Sequence, residues 1–156
     1  MYVAFIFFLS LCMVSIAEKN PVDLDNVPQQ VSRCLQKVPN RYQISRRMNP
    51  FYLRANFDGD GQTDYAVLIT ESPSKKEGIA ICFGDKRKET TILGAGVSVA
   101  LEGGIKEDDL SVFNLWGVAV GCGAQKYDCL YLEQAEAGSG FLIWDGRHFI
   151  WEQGAI

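Results

Sequence analysis

Apolar and polar positions follow a helical pattern near the start of the chain. Within residues 27–38 the apolar positions lie at i, i+4, i+7, i+8 and i+11, which places them on one face of an α-helix. These positions are Val27, Val31, Cys34, Leu35 and Val38. Pro28 suits the first turn of a helix, and Pro39 ends one because proline has no N–H to continue it. We therefore predict an amphipathic helix over residues 27–38, with Cys34 on its buried face.

After residue 50 the pattern changes to short apolar runs separated by turn residues. The runs recur about every ten residues, which is typical of an antiparallel β-meander. They cover residues 51–56, 65–70, 78–83, 89–93, 110–120, 129–133, 140–144 and 148–152. Residues 94–104 contain four glycines and interrupt the pattern, so we predict an irregular loop there. The predicted fold is α+β, mainly β: an antiparallel meander of about 7–8 strands with one N-terminal amphipathic helix.

The first part of the chain has the character of an export signal. Residues 2–17 carry no charged side chain, and Ser15 and Ala17 supply the small residues that favour cleavage before Glu18. The run is shorter than the roughly 20 residues of a membrane-spanning helix. No Lys or Arg precedes it, which departs from the usual signal. We predict a signal peptide over 1–17, with an uncleaved anchor as the alternative, and one β-rich domain over 18–156.

The charge of the chain argues against nucleic acid as a partner. The formal net charge is −4 and the sequence pI is about 5.0, whereas nucleic-acid binding needs a clustered basic face. Two short basic runs, residues 75–76 and 86–88, fall in predicted turns, and we interpret them as solvated hairpin tips. We expect no nucleic-acid partner and, after cleavage of the signal, no membrane association.

Cysteine usage points to an oxidising compartment. Cleavage of the signal leaves four cysteines, Cys34, Cys82, Cys122 and Cys129, for which three disulfide connectivities are possible. Cys122 and Cys129 flank a polar, glycine-containing loop, so local pairing would leave Cys34 for Cys82. A zinc site is the alternative, although no CxxC pair or neighbouring histidine accompanies these residues. We predict an exported protein, periplasmic or extracellular, with two disulfides.

Residues 56–67 contain the clearest candidate for chemistry. Side-chain oxygens of Asn56, Asp58, Asp60 and Asp64 occur at alternate positions, and Gln62 offers its backbone carbonyl. Three carboxylates about 5 Å apart repel one another by roughly 3 kcal/mol per pair at an effective dielectric near 20. A divalent cation that takes 6–8 oxygen ligands relieves this repulsion, and Ca²⁺ is the usual one. The alternative is a plain hairpin turn built from two Asp-Gly pairs.

The metal motif lies between two predicted strands rather than between the two helices of an EF-hand. It resembles the calcium loops of FG-GAP and integrin-type repeat proteins, which read Asp-x-Asn/Asp-Gly-Asp-Gly-x-x-Asp before an apolar strand. The motif occurs once, so the resemblance implies a calcium site and not a propeller. Asn56 replaces the first Asp, and Val67 stands where an EF-hand has its bidentate Glu. Both substitutions imply weak calcium affinity.

The C-terminal pattern predicts a hairpin that is apolar on both faces. We predict a two-residue turn at Asp145 and Gly146, where Asp-Gly is a strong hairpin sequence. One face then carries Leu142, Trp144, Phe149 and Trp151, and the other carries Phe141, Ile143 and Ile150. Such a hairpin is covered on both sides. The cover is either the domain itself or a partner protein, for which Trp144, Phe149 and Trp151 form the possible interface.

A second resemblance comes from the C-terminal part of the chain. Together with the single Asp-Gly-Asp-Gly loop, its pattern is similar to a group of small exported bacterial proteins. The matching residues are Glu133, Ala137, Gly138, Ser139, Gly140, Trp144, Asp145, Gly146 and Phe149. The resemblance implies this fold and bacterial export, and it implies no activity.

Candidate catalytic residues do not form a recognisable set. The chain has one histidine, His148, and Ser139 lacks the Gly-x-Ser-x-Gly spacing of a nucleophile elbow. No nucleophile, base and orienting group can be placed together, so we expect no enzyme. The sequence favours an exported non-catalytic module, stabilised by calcium and acting in binding or structure. The alternative is a periplasmic inhibitor or immunity-type protein that binds a partner enzyme or toxin.

Overall fold

The computed structural model describes Leu24, residues 26–101 and residues 106–154. The predicted signal peptide lies outside these residues. The described chain forms one α-helix, α1 (Gln29–Leu35), and eleven strands. The strands are β1 (Tyr42–Ile44), β2 (Tyr52–Ala55), β3 (Asp64–Glu71), β4 (Glu77–Cys82), β5 (Thr91–Gly94), β6 (Val99–Ala100), β7 (Lys106–Glu107), β8 (Leu115–Cys122), β9 (Tyr127–Gln134), β10 (Gly138–Trp144) and β11 (Phe149–Gln153). A 3-10 turn occupies Leu110–Val112.

The mainly β, α+β class is confirmed, and every strand pairing is antiparallel. The strands exceed the predicted seven or eight and form three sheets. The additional strands β1, β6 and β7 are two or three residues long, too short to show an alternating pattern. The predicted loop over 94–104 contains β6, and part of it, residues 102–104, lies outside the described residues.

The first sheet is built around β3. One edge of β3 pairs with β4, which pairs with β5, and the other edge pairs with both β1 and β2. β1 lies along Ile69 to Glu71, and β2 lies along Asp64 to Val67. Between them Leu68 keeps the ladder intact, because its carbonyl accepts from Ser45 N at 2.9 Å and its N–H donates to Phe51 O at 3.0 Å. Residues 46–50 therefore leave the sheet edge as an excursion between two short strands.

The second sheet is a four-stranded meander in the order β8, β9, β10 and β11. Its inner face packs against one face of the first sheet to form the main core. Buried side chains from the first sheet include Leu68, Ile79 and Ile81, and those from the second include Leu130 and Leu142. Complete burial of such a side chain contributes about 1.5–3 kcal/mol, so this layer accounts for most of the hydrophobic stabilisation.

The helix covers the opposite face of the first sheet. Val31 and Leu35 join a second buried cluster with Val67, Ile69 and Ala80. This face of the helix is the predicted one, although α1 is shorter than residues 27–38. The chain tightens at the end of the helix, since Lys37 N donates to Cys34 O, three residues earlier, at 3.0 Å. It leaves helical geometry before Pro39.

Both predicted disulfides are present. Cys34 on the helix is bonded to Cys82 at the end of β4, and Cys122 is bonded to Cys129 across the connection between β8 and β9. The zinc alternative is therefore excluded for these four residues. No helix within the described residues has both the length and the apolar character that crossing a bilayer requires.

The C-terminal hairpin differs from the prediction in its register. Trp144 pairs with Phe149, so the loop contains four residues, 145–148, instead of two. Asp145 Oδ1 accepts hydrogen bonds from the N–H groups of Arg147 at 2.8 Å and His148 at 2.9 Å, which favours the wider loop. The two-residue turn was thus wrong. Because the register moves by two residues, each side chain stays on its predicted face.

Candidate metal centre

The predicted metal loop connects β2 to β3. Pairing of Ala55 with Asp64 closes its base, which leaves residues 56–63 in the loop. Gly59 and Gly61 have φ values of 73° and 82°, a backbone conformation that favours glycine. Asp58 Oδ1 accepts a hydrogen bond from Asp60 N at 3.1 Å, and Asp60 Oδ1 accepts one from Gln62 N at 2.8 Å. These local bonds curl the loop so that its carboxylates approach one another.

The structure brings together three of the five predicted ligands. One carboxylate oxygen from each of Asp58, Asp60 and Asp64 lies within 4.8 Å of the others. Asp58 is 7% exposed and Asp64 is fully buried, whereas Asp60 faces solvent. The arrangement concentrates negative charge at the end of the first sheet, where burial weakens solvent screening.

Asp64 holds two segments of backbone in addition to facing the cluster. Its Oδ2 accepts from Phe57 N at 2.8 Å, and its Oδ1 accepts from Gly84 N at 2.7 Å. Burial raises the pKa of Asp64 to about 6, and repulsion from Asp58 and Asp60 adds to this effect. The two N–H donors oppose the shift because they favour the charged carboxylate. Asp64 therefore anchors the base of the loop while ionising less readily than an exposed carboxyl.

Lys88 supplies a positive charge to this cluster. Its ammonium pairs with Asp58 Oδ2 and lies 3.6 Å from Asp60 Oδ2. The hydrogen bond to Asp58 raises the pKa of Lys88, which stays protonated. Residues 86–88 lie in an exposed turn, as we interpreted them, but the Lys88 ammonium also pairs with the carboxylate cluster, which that interpretation did not include. The contact between Lys88 and the loop could have been predicted from strand order. Antiparallel pairing of β3 with β4 puts the residues that follow β4 beside the loop that precedes β3.

Asn56 occupies the first position of the motif. Its N–H donates to Asp128 Oδ2 at 2.9 Å. Its side-chain oxygen, Oδ1, is buried and accepts no hydrogen bond within the described part of the chain. A buried oxygen without a donor costs about 1–3 kcal/mol, and a cation bound to it would remove that cost.

Gln62 is the predicted ligand that the structure supports least directly. The residue is exposed, and its side-chain amide donates to Asp60 Oδ2 at 3.1 Å. This contact orients Asp60 from the solvent side of the loop. Coordination by the Gln62 backbone carbonyl remains a prediction.

The second sheet also supports the loop, through β9. A side chain on Gly59 would collide with Tyr127, because a Cβ there would lie 2.0 Å from Tyr127 Cε1. Together with the Asp128 contact to Asn56, this packing docks the loop against the segment that the Cys122–Cys129 bond closes. Sequence reasoning missed both β9 residues because the contacts connect positions about 70 residues apart, and no local pattern predicts them.

The three predicted interface residues lie against the core between the sheets. Phe149 is buried, and Trp144 and Trp151 are partly buried. The Trp144 ring lies 5.5 Å from the Phe83 ring, and the Trp151 ring lies 5.7 Å from the Phe113 ring. The first sheet and the segment that follows β7 thus cover this face of the hairpin. A partner surface at these residues remains a prediction, limited to the parts of the two tryptophans that stay exposed.

No protein-family model, curated protein or solved structure matches this chain. Carboxylate and amide oxygens are hard ligands, the type that Ca²⁺ and Mg²⁺ prefer to nitrogen or sulfur. The donor set accordingly fits a hard divalent cation.

Proposed function

We propose that this chain is an exported, non-catalytic module whose loop between β2 and β3 binds Ca²⁺, and that it acts in binding or structure. The observation that supports this best is the approach of Asp58, Asp60 and Asp64 to within 4.8 Å at one place. The resemblance of the loop to FG-GAP and integrin-type calcium loops favours the same cation.

The remaining oxygen donors are compatible with a bound cation. Asn56 Oδ1 is buried without a hydrogen-bond donor among the described residues. The oxygens of Asp64 already accept backbone N–H groups, but each carboxylate oxygen has two lone pairs and so retains capacity for a metal. Asn56, Asp58, Asp60 and Asp64 would hold the ion, and the backbone carbonyl of Gln62 is the additional proposed ligand.

Lys88 makes the site a weak one in this proposal. Its ammonium already offsets part of the carboxylate repulsion, so a calcium ion must displace it from Asp58. The absence of a bidentate Glu removes a further contribution to affinity. We expect a dissociation constant on the order of 10⁻⁴ M, in the range of extracellular calcium modules.

A cation here would stabilise the fold rather than perform chemistry. The cluster lies where the β2–β3 loop, the residues after β4 and the start of β9 meet. Binding to the folded state alone raises the free energy of unfolding by RT ln(1 + [L]/Kd). The role we assign to calcium is therefore to hold these three segments together.

The cellular location follows from cysteine chemistry. Two disulfides are consistent with an oxidising compartment, since thiols in the cytosol are kept reduced. We extend this to export, to the periplasm or the extracellular space, with residues 1–17 as the signal.

The non-catalytic part of the proposal is supported by the position of the sole histidine. His148 lies in the exposed loop 145–148, where its Nδ1 is 3.3 Å from Asp145 Oδ2. That pair has no nucleophile within the same loop to activate. The inhibitor or immunity-type alternative uses the aromatic hairpin and the loop over residues 94–104 as its contact surface. It is less favoured because Trp144, Phe149 and Trp151 pack against the core.

Thermal unfolding with and without calcium tests the proposal. At about 10 mM Ca²⁺, a hundredfold excess over the expected dissociation constant, stability should rise by about 2.7 kcal/mol relative to EDTA. For a chain of this size the melting temperature should rise by about 8 °C. Identical midpoints in calcium and in EDTA would contradict the calcium site.

Paired variants make this test specific. Asp58→Asn/Asp60→Asn should abolish the calcium shift, because it removes two of the three charges in the cluster. Asp109→Asn/Asp145→Asn is the matched control. Both of its aspartates accept an N–H from two residues ahead, as Asp58 and Asp60 do, but neither belongs to the cluster. The control should retain the full shift.

A further inference from the structure

Two adjoining cavities lie between the helix and the residues that connect β4 to β5. Their volumes are about 320 Å³ and 470 Å³, and they share Lys37, Lys86, Lys88 and Thr90 in their linings. Cavities of this size suit small molecules rather than folded partners. We call the two together the basic groove, because five cations line it: Arg33, Lys37, Lys86, Arg87 and Lys88.

The charge of the groove lining is opposite in sign to the net charge of the chain. The whole sequence has a net charge of −4, whereas the groove lining combines its five cations with a single carboxylate, Glu89. A local excess of positive charge in an acidic protein is not a consequence of composition. It concentrates small anions at this one place.

Three of the five cations are available for a ligand. Arg87 pairs with Asp85, and Lys88 pairs with Asp58. Within the described residues, no carboxylate or other acceptor contacts the remaining three, which are Arg33, Lys37 and Lys86. Arg33 lies in the last turn of α1 and Lys37 follows that helix, whereas Lys86 lies on the loop across the groove. An anion between them would receive charge-assisted hydrogen bonds from both sides.

The groove also has an apolar floor. The Cys34–Cys82 disulfide and Phe83 line the first cavity, and Val38 and Ile92 line the second. Thr90 adds a hydroxyl, which lies 3.1 Å from Cys34 Sγ. A ligand that matches this lining has an apolar body as well as several negative charges.

We propose that the basic groove binds a small organic polyanion, an apolar or ring-shaped body that carries two or more sulfonate, phosphate or carboxylate groups. Arg33 provides a planar donor for two oxygens of one such group, and Lys37 and Lys86 act as point charges for the others. The three oxyanion types share this chemistry.

Lys88 connects the groove to the carboxylate cluster, and this part of the inference rests on the proposed calcium site. The same ammonium lines the groove and pairs with Asp58 and Asp60. Calcium bound at the cluster repels the ammonium and releases it to the groove, which raises the affinity for the polyanion. By linkage, the polyanion raises the affinity for calcium by the same factor.

Calorimetric titration with naphthalenetrisulfonate in EDTA tests the groove alone. This probe has an aromatic body and three charges, and its sulfonates chelate calcium poorly. The full chain should bind it saturably, and Arg33→Gln/Lys37→Gln should weaken binding by about tenfold or more, as loss of two charge-assisted contacts requires. Lys86→Gln, in a loop where helix stability plays no part, should weaken it as well.

The matched control is Lys75→Gln/Arg147→Gln. It also replaces one lysine and one arginine, both exposed, and neither residue lines the groove. Affinity should stay within about twofold of the parent chain. Equal weakening in the groove and control variants would overturn the proposal, since it would indicate attraction to net charge only. Benzenetricarboxylate and fructose bisphosphate test the other two oxyanions; failure of all three probes to bind would overturn it too.

Repeating the titration in calcium separates the two proposals. The naphthalenetrisulfonate affinity of the parent chain should increase about fivefold or more, a typical size for coupling between sites. Lys88→Gln should bind the probe equally with and without calcium. An equal gain in both chains would overturn the role of Lys88. Binding in EDTA does not depend on the metal, so failure of the calcium site would remove the gain and leave the groove standing.

Discussion

Two loops of this molecule contain the same Asp-Gly dipeptide and lie in opposite environments. In loop 56–63, Asp58 Oδ1 accepts an N–H from two residues ahead at 3.1 Å, and in loop 145–148, Asp145 Oδ1 does the same at 2.8 Å. The first loop nevertheless contains the fully buried Phe57, while the second exposes Arg147 and His148. Local turn chemistry thus sets how each loop curls, and packing against distant residues decides which one is buried.

The distribution of stabilising contacts differs accordingly. The loop after β2 is itself part of the core through Phe57, and it carries the buried carboxylate of Asp58, while the buried Asp64 lies at its base in β3. The C-terminal hairpin places its core contacts in its strands, at Trp144, Phe149 and Trp151. Substitutions in the first loop should therefore affect the whole fold, and substitutions in the second should act locally.

The largest difference is expected from deletion of a loop side chain. Phe57→Ala removes a fully buried ring and should lower the free energy of unfolding by about 3–5 kcal/mol. His148→Ala, at the exposed loop, should change it by no more than about 0.5 kcal/mol. Urea denaturation measures both values. Comparable losses in the two variants would contradict the contrast between the loops.

The strands of the C-terminal hairpin should respond almost as strongly as the first loop. Trp151 packs on Phe113 and over Gly140, where a Cβ would lie 2.2 Å from its ring, so Trp151→Ala should cost about 3 kcal/mol. Glu152→Ala, at the exposed neighbouring position, is the control and should be nearly neutral. If Trp151→Ala instead kept its melting temperature and lost a partner captured by the parent chain, the hairpin would be an interface.

The pH dependence of the two loops should have opposite signs. The pKa of Asp64 rises from 3.8 to about 6 on folding, chiefly through burial, so the folded state binds more protons between these values. In EDTA its contribution to stability is therefore largest below about pH 4 and is lost as the pH rises to about 6, by on the order of 2–3 kcal/mol. Hydrogen bonds from the backbone N–H groups of His148 and Arg147 lower the pKa of Asp145, so its contribution is lost as the pH falls.

Denaturation at several pH values in EDTA, compared with two variants, isolates these contributions. Asp64→Asn should remove the decline in stability between about pH 4 and pH 6, and Asp145→Asn should leave that decline in place. Calcium should reduce the decline in the parent chain because the metal competes with the proton for Asp64. A decline of the same size in Asp64→Asn would assign it to another carboxyl.

The smallest expected difference separates the two glycines that follow these aspartates. Both have positive φ, 73° at Gly59 and 103° at Gly146, so alanine strains the backbone at either position by about 1–3 kcal/mol. At Gly59 the added Cβ also meets the Tyr127 ring, whereas at Gly146 it meets nothing within 4 Å. Gly59→Ala should therefore lower the free energy of unfolding by about 1–2 kcal/mol more than Gly146→Ala does. Truncation of Tyr127 to alanine should remove that excess, and persistence of the excess would point to backbone strain alone.

Several features of the fold were predictable because short-range sequence patterns determine them. The apolar stripe from Val27 to Val38 identifies the covered face of the helix, and alternation in the β-runs identifies both faces of the C-terminal hairpin. Close spacing favoured the bond between Cys122 and Cys129, and elimination left Cys34 for Cys82. The spacing of Asp58, Asp60 and Asp64 anticipated their convergence.

Other features depend on contacts between distant parts of the chain. The docking of Gly59 on Tyr127 and of Asn56 on Asp128 follows from packing of one sheet on the other, which single-sequence periodicity does not contain. Lys88 reaches Asp58 because of strand order rather than local sequence. The register of the last hairpin was missed because one side chain, Asp145, bonds two successive N–H groups and widens the loop.

The excursion at residues 46–50 has a consequence for self-association. An uninterrupted sheet edge is a template on which strands of other molecules can add and aggregate. Here the edge beside β3 is divided into strands of three and four residues. Between them lie Arg46, whose guanidinium covers the Phe51 ring at 4.5 Å, Arg47, which donates to Phe113 O at 2.8 Å, and Pro50, which has no N–H to offer. An incoming strand finds no long row of free backbone groups, and we expect this edge to resist addition even at the high concentrations of a crowded compartment.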